Sequence, residues 1–192
     1  DGGVLLEPKG FIGYQYRARA SMVSQAGAFI LDYTVPGHVG HPLDLTDDDQ
    51  PVVNDVTVKR IGGSSARAEL ASGPLSTAAP PAGIGRYESS HDLSLYRDDQ
   101  VADRANWILH MGTVDEPRWP TIVTILEAIP TGIPAVAALE VGDVITLQGL
   151  PAWVPPGPVD LILEGYTETL TPFGWTFAGT YSPASPWRTV RL

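Results

Sequence analysis

Turn-forming residues divide this chain into short segments, and that division limits what the chain can fold into. Glycine (20) and proline (18) are spread without a regular period through its 192 residues. Between them lie runs of β-branched and aromatic residues, which favour strands. The clearest series lies within Val141–Ala178, where a Gly-Asp turn, a Pro/Trp-rich corner and Pro172 separate three such runs. This arrangement predicts an antiparallel β-unit made of short strands.

The rest of the chain repeats the pattern around one helix. Val101, Ala105, Ile108 and Leu109 follow the apolar spacing of an amphipathic helix, which we predict over 98–111. A shorter helix is predicted over 133–139. Strand predictions are 4–7, 11–18, 28–35, 55–60, 65–70, 121–127, 144–148, 159–170 and 174–178. We therefore predict a mainly β fold with one embedded α-helix, in a β-barrel-like or sandwich architecture.

The domain organisation is predicted to be simple. We expect residues 1–192 to form one β-rich unit, with a possible subdomain boundary in the Gly/Pro/Ser/Ala-rich loop at 71–85. The sequence starts at Asp1-Gly2-Gly3 and not at methionine. We therefore expect it to be a fragment of a longer chain.

The charge balance and the residue types disfavour several classes of protein. A net charge of −10 disfavours sequence-specific binding to nucleic acid, which needs a basic surface. We expect Arg17, Arg19, Arg60 and Arg67 to be solvated or ion-paired strand residues. No apolar run approaches the ~20 residues that span a bilayer, so no transmembrane segment is predicted. The chain has no cysteine, which excludes disulfides and thiolate sites.

No motif in the sequence predicts an enzyme. There is no G-x-S-x-G elbow, and none of the four histidines lies in a triad motif. Glu164 and Glu168 share one face of a predicted strand but lie about 13 Å apart, wider than either glycosidase arrangement. We predict no catalytic residue and no cofactor. A carboxylate-based hydrolase of cell-wall glycan is the less favoured alternative.

One loop gathers residues of the kind that bind metal ions. It contains two histidines followed by Asp44, Asp47 and Asp49. Calcium prefers clustered carboxylates, but this spacing does not match the twelve-residue calcium loop. We therefore interpret the loop as a solvated acidic segment and predict no metal site, with these three aspartates as weak candidates.

Aromatic residues are the best candidates for contacts with other molecules. Tyr14 and Tyr16 lie on one face of a predicted strand, and Trp153, Trp175 and Trp187 lie in or near the last β-unit. Tryptophan most often serves as a core or interface anchor. We predict interface contacts for these five residues. A carbohydrate-binding β-module in host adsorption, with the tryptophans as stacking platforms, is the alternative.

Several phrases of the sequence resemble one group of viral proteins. They are Asn54–Val58, Ala102–Ala105, Gly112–Arg118, Leu150–Trp153 and Gly165–Glu168. These phrases resemble minor tail proteins of actinobacterial long-tailed phages and prophages. The order of an N-D-V-x-V strand, a helix near D-R-A and a G-D strand (Gly142-Asp143-Val144-Ile145-Thr146-Leu147) also resembles the tail-tip or baseplate-hub proteins of phages.

The resemblance implies a structural role in the virion. Hub proteins of this kind assemble as rings, commonly trimers, that close the tail tube. It therefore implies a homo-oligomer in contact with other tail proteins, made in the bacterial host cytoplasm and carried in the phage tail. It implies no catalytic residues.

Overall fold

The structure is a computed structural model that describes residues 3–10, 12–46 and 52–188. It is built mainly of strands, so the predicted fold class is confirmed. The strands are β1 (Val4–Leu6), β2 (Gln15–Arg17), β3 (Phe29–Asp32), β4 (Asp55–Arg60), β5 (Ser65–Glu69), β6 (Glu88–Leu93), β7 (Ile122–Ile125), β8 (Val144–Gln148), β9 (Val159–Thr171) and β10 (Gly174–Pro183). The helices are α1 (Arg19–Met22), α2 (Gln100–Gly112) and α3 (Ile133–Ala137), with 3-10 turns at Leu126–Ala128 and Ser185–Trp187.

The helix predictions are confirmed within two residues at each end. The helix predicted over 98–111 is α2, and α3 begins the segment predicted over 133–139 with Pro134 in its first turn. Strand β6 was not predicted because its sequence, Glu-Ser-Ser-His-Asp-Leu, carries a single large apolar residue. It forms as an edge strand that pairs in parallel with β4.

The chain folds as two compact units. The first unit comprises Asp1–Asp47 and Pro117–Leu192, and the second is Asp48–Glu116. The loop at 71–85, for which a subdomain boundary is predicted from sequence, lies inside the second unit. Among the described residues, no helix combines the length and the apolar character that crossing a bilayer requires.

The first unit is organised around a five-stranded sheet with the order β3-β8-β9-β10-β7. Strands β3 and β8 are parallel and the remaining pairs are antiparallel. The sheet curls into a half-barrel, because the chain that leaves β3 meets the opposite edge strand, β7. There Gly40 N donates to Val123 O at 2.6 Å, and Ile125 N donates to Gly37 O at 2.8 Å. Gly37 has φ +90°, and an added Cβ would lie 2.5 Å from Ala128 Cβ, so this crossing requires glycine.

Strand β9 is buried on both faces where the sheet is widest. Leu161 and Leu163 point into the main core, which also holds Trp119 and Phe177. Between them, Ile162 is 3% exposed on the opposite face. Met22 of α1 and Trp187 lie beside it around a small apolar cavity. Three consecutive buried positions therefore reflect a sheet that is covered on both sides.

The second unit is a three-stranded sheet, in the order β5-β4-β6, with α2 packed on one face. Val56, Val58 and Ala68 of the sheet meet Val101 and Ala105 of the helix in a small core. These are the alternating residues of β4 and the apolar stripe of α2.

The 71–85 loop is held against this sheet by one buried side chain. Asn54, fully buried, donates from Nδ2 to Leu75 O at 2.9 Å and to Gly85 O at 2.7 Å. Its Oδ1 accepts Tyr87 N at 2.8 Å. The loop therefore takes a defined path without forming a helix or a strand.

Candidate interaction surfaces

A short antiparallel hairpin, β1 with β2, is fixed to the half-barrel by two cations. Leu5 pairs with Tyr16 across this hairpin. In β2, Arg17 Nη1 donates to Asp143 Oδ1 at 2.7 Å and to Val141 O at 3.1 Å, just before β8. The side chain is mostly buried, so this ion pair is shielded from solvent more than a surface pair.

The second cation, Lys9, lies over the end of the main core. Its Nζ is 4.4 Å from the ring centroid of Tyr166 and 2.9 Å from Glu168 Oε1. The Tyr166 ring stacks on Phe177, with ring centroids 5.0 Å apart. The backbone N–H of Lys9 also donates to Glu140 Oε1 at 3.0 Å. The loop of the first hairpin is thus held against strand β9.

Strand β9 becomes an edge of the sheet beyond Leu163, while β10 still pairs with β7 as far as Thr176, so only Leu170–Trp175 extends as a two-stranded tip. Strand β8 pairs with β9 only from Val159 to Ile162. From Thr167 to Thr171 the residues of β9 are exposed on both faces. Among the described residues, no strand other than β10 pairs with β9 beyond Leu163. This part of β9 therefore presents a free strand edge, a common site for pairing with another chain.

The predicted interface residues fall into two groups. Tyr14, Tyr16 and Trp153 are exposed, by 79%, 55% and 62% respectively, and are accessible to a partner. Trp175 is partly buried against the main core, and Trp187 is 9% exposed in the wall of the cavity beside Met22. The interface role of all five residues stays a prediction, and for Trp187 the packing in this chain is that of a core residue.

The predicted acidic loop is only partly described. Asp44 is exposed, whereas Asp47 and Asp49 lie outside the described residues. Within residues 3–10, 12–46 and 52–188, no group of three or more histidine and carboxylate side chains is placed to hold a metal ion. His41 instead contacts the Tyr33 hydroxyl, at 3.3 Å from Nδ1.

The two carboxylates considered for hydrolysis have different surroundings. Glu168 is paired with Lys9, and Glu164 is exposed where the β9–β10 register shifts.

A general acid needs a raised pKa. The pKa values of Asp32, Asp55 and Asp98 are instead lowered, chiefly by hydrogen bonds from Thr34, Arg67 and Ser64 respectively.

The open face of the second unit holds a charge network that no sequence pattern indicates. Asp55, 3% exposed, accepts Arg67 Nε at 2.7 Å and Nη2 at 2.6 Å, and Arg86 Nη1 lies 2.8 Å from its Oδ2. Glu69 and Glu88 flank the two arginines. The expectation of solvated or ion-paired strand residues is confirmed for Arg17, Arg60 and Arg67, whereas Arg19 begins helix α1 and is not on a strand. The three carboxylates outnumber the two arginines, so the network is a poor site for an anion.

Comparisons with known proteins find a structural likeness but no match in sequence. No protein-family model matches the chain, and no curated protein matches it. Among solved structures, the chain is similar to the 43 kDa tail protein of prophage MuSo2 from Shewanella oneidensis. The match has a TM-score of 0.58 and 10% sequence identity, and it covers 97% of this chain and 48% of that protein. The chain spans about half the length of that tail protein, and the likeness shows a shared fold.

Proposed function

We propose that this chain is a structural component of a phage tail, and more specifically a hub-like minor tail protein at the tail tip. The observation that carries the proposal is the likeness to a prophage tail protein over 97% of the chain. A fold alone does not define a function. The sequence phrases that resemble actinobacterial minor tail proteins are a second line of support, and they are independent of the fold.

In this proposal the chain acts by assembling with copies of itself and with other tail proteins. A trimeric ring is the favoured state, made in the bacterial cytoplasm and carried in the virion. The free edge of β9 and the exposed Trp153 are contacts of the kind that such an assembly uses. The net charge of −10 suits a protein that lines or closes a DNA passage, since a negative wall repels the passing DNA.

The proposal includes no catalytic activity. The carboxyl groups with displaced pKa values are held in the ionised form, which suits ion pairing and not proton donation. Glu168 is engaged by Lys9. Incubation with purified cell-wall glycan should release no soluble fragments, and release that a single carboxylate substitution abolishes would contradict this part of the proposal.

The assembly is tested by light scattering and negative-stain electron microscopy of the purified chain. We expect a trimer mass and ring-shaped particles. Trp153→Ser should lower the trimer fraction, whereas Tyr96→Ser, which changes an exposed aromatic residue in the second unit, should leave it unchanged. A monomer at every concentration tested would contradict the proposed self-assembly.

The alternative, a carbohydrate-binding module used in adsorption, is favoured by one observation. The Trp153 ring is exposed in a proline-rich loop, which is a rigid position for stacking on a sugar. Titration of the chain with host cell-wall glycans distinguishes the two functions. Saturable binding by a monomer, lost in Trp153→Ser, would favour the module over the tail component.

A further inference from the structure

The two hairpins of the first unit carry their most exposed apolar side chains at their tips. In the β1–β2 hairpin, Ile12 is 100% exposed and Tyr14 is 79% exposed. In the β9–β10 hairpin, Phe173 is 97% exposed and Leu170 is 74% exposed. We call these four side chains the apolar tips. Exposed apolar side chains that cluster into a patch commonly mark a surface that meets a protein or a membrane.

The two hairpins that carry the apolar tips contact each other. Lys9, in the loop of the first hairpin, contacts Tyr166 and Glu168 of β9. The turn of the second hairpin starts three residues beyond Glu168, a distance of about 10 Å by strand rise. Ile12 also borders the same hollow as Tyr166. Both tips therefore start from neighbouring positions on the first unit.

Charge is absent from the sequence of both tips. Charged residues make up 18% of the chain, yet none lies in Gly10–Tyr16 or in Thr169–Trp187. The nearest ion pair, between Lys9 and Glu168, lies at the base of the tips. Two carboxylates border the tips: Glu7 lines the same hollow as Ile12, and Glu127 Oε2 accepts Trp175 N at 2.9 Å beside the second turn. The four tip side chains themselves carry no charge, which lowers the cost of moving them into an apolar phase.

We propose that the apolar tips insert into the interface of a lipid bilayer. The tips are convex turns, so they can enter a bilayer without a matching cavity in a partner. Phenylalanine, isoleucine and leucine bury in the acyl region, and a tyrosine places its hydroxyl among the headgroups. The inference rests on exposure, spacing and charge, and does not depend on the proposed role in a phage tail.

The chemistry of the tips also specifies the lipid. The chain has a net charge of −10, so it is repelled by an anionic surface. Attraction must come from burial of apolar side chains, which favours zwitterionic headgroups.

A second copy of the chain is the competing partner. The apolar cavity beside Met22, Ile162 and Trp187, about 170 Å³, has room for one ring and would leave the other tip side chains uncovered.

The test is flotation of the 192-residue chain with phosphatidylcholine vesicles. We expect the chain to float with these vesicles, and to bind phosphatidylglycerol vesicles more weakly at low salt than at high salt. Phe173→Ser should lower the partition coefficient about tenfold, and adding Ile12→Ser should lower it further. Tyr96→Ser removes an equally exposed ring from the second unit and should have no effect. The substituted side chains are exposed, so thermal unfolding should be unchanged in every variant.

A second measurement locates the tip directly. The chain has no cysteine, so Phe173→Cys and Tyr96→Cys each provide a single position for an environment-sensitive dye. With vesicles, the dye at position 173 should shift to the blue and be quenched by nitroxide-labelled lipids, while the dye at position 96 should not change. No flotation, or flotation that the tip variants leave unaltered, would overturn the inference. So would light scattering that shows the tips joining two copies, with no lipid contact at position 173.

Discussion

Replacing Asp55 with asparagine should destabilise the second unit selectively. Asp55 lies at the start of β4, is 3% exposed and accepts contacts of 2.6 to 2.8 Å from Arg67 and Arg86. Asparagine has nearly the same shape, so the substitution creates little empty space. It replaces one carboxylate oxygen with an amide group that donates toward guanidinium groups, which are themselves donors.

The expected loss follows from these contacts. A hydrogen bond to a charged group contributes about 1.5–3 kcal/mol, and at least one is lost in the variant. The arginine side chains are 48% and 45% exposed, so water replaces part of what they lose. We therefore expect a destabilisation of about 2 kcal/mol, which corresponds to about thirtyfold faster amide exchange through opening of the unit.

Hydrogen exchange followed by mass spectrometry is the suitable assay because it reports on each unit separately. Peptides from β4, β5 and β6 should exchange faster in Asp55→Asn, and peptides from β9 and β10 should not change. Asp92→Asn is the matched control, because Asp92 is an exposed carboxylate on the same sheet. Its effect should stay within about 0.5 kcal/mol. Equal effects of the two substitutions would refute the assignment of stability to the Asp55 network.

The same network predicts a pH dependence. Hydrogen bonds from Arg67 hold the pKa of Asp55 below its usual value of 3.8. A lowered pKa in the folded state means that the stabilisation is present above the unfolded-state pKa and is lost as the pH falls through the folded one. The difference between wild type and Asp55→Asn should be complete at neutral pH and shrink below about pH 4. A difference that grows on acidification would contradict this linkage.

Three further substitutions test the packing of the first unit. Lys9→Met removes the ion pair to Glu168 and the contact with the Tyr166 ring, so exchange in β1 and β2 should accelerate several-fold while global stability changes by less than about 1 kcal/mol. Phe177→Ala should lower the free energy of unfolding, measured with urea, by about 3–5 kcal/mol because the ring is buried in the main core. A decrease below about 1 kcal/mol would show that Phe177 is not a core residue. Gly37→Ala places a Cβ against Ala128 in a backbone conformation with φ +90°. It should lower the free energy of unfolding by about 1–3 kcal/mol, seen as a lower midpoint of thermal unfolding. An unchanged midpoint would refute the strain argument.

Local sequence patterns were sufficient to predict most of the secondary structure. Strands β4 and β8 have the predicted bounds, because alternation and flanking turns define a strand that is paired on both sides. Helix α2 was predictable because its apolar stripe has a helical period. Strand β6 could not be predicted, because its place at the sheet edge is set by the parallel pairing with β4, and its sequence carries no alternation of apolar residues.

The candidate surfaces depend on contacts that are distant in the sequence. Arg17 and Asp143 are 126 residues apart, and Lys9 and Glu168 are 159 residues apart, so no local pattern predicts either pair. Exposure was equally hard to foresee, since Trp187 is buried while Trp153 is exposed. The uncharged segment Thr169–Trp187 was visible in the sequence, but the sequence does not show that Leu170 and Phe173 near its turn are exposed while Phe177, Tyr181 and Trp187 are buried.

The proposed structural role in a phage tail is tested most directly by immunogold electron microscopy. Antibodies against the purified chain would be applied to tailed particles released from the strain that carries the gene. We predict gold at the end of the tail distal to the capsid, with none on capsids or on particles treated with pre-immune serum. Unlabelled tails, together with the chain recovered only from particle-free cell extract, would contradict the proposed function.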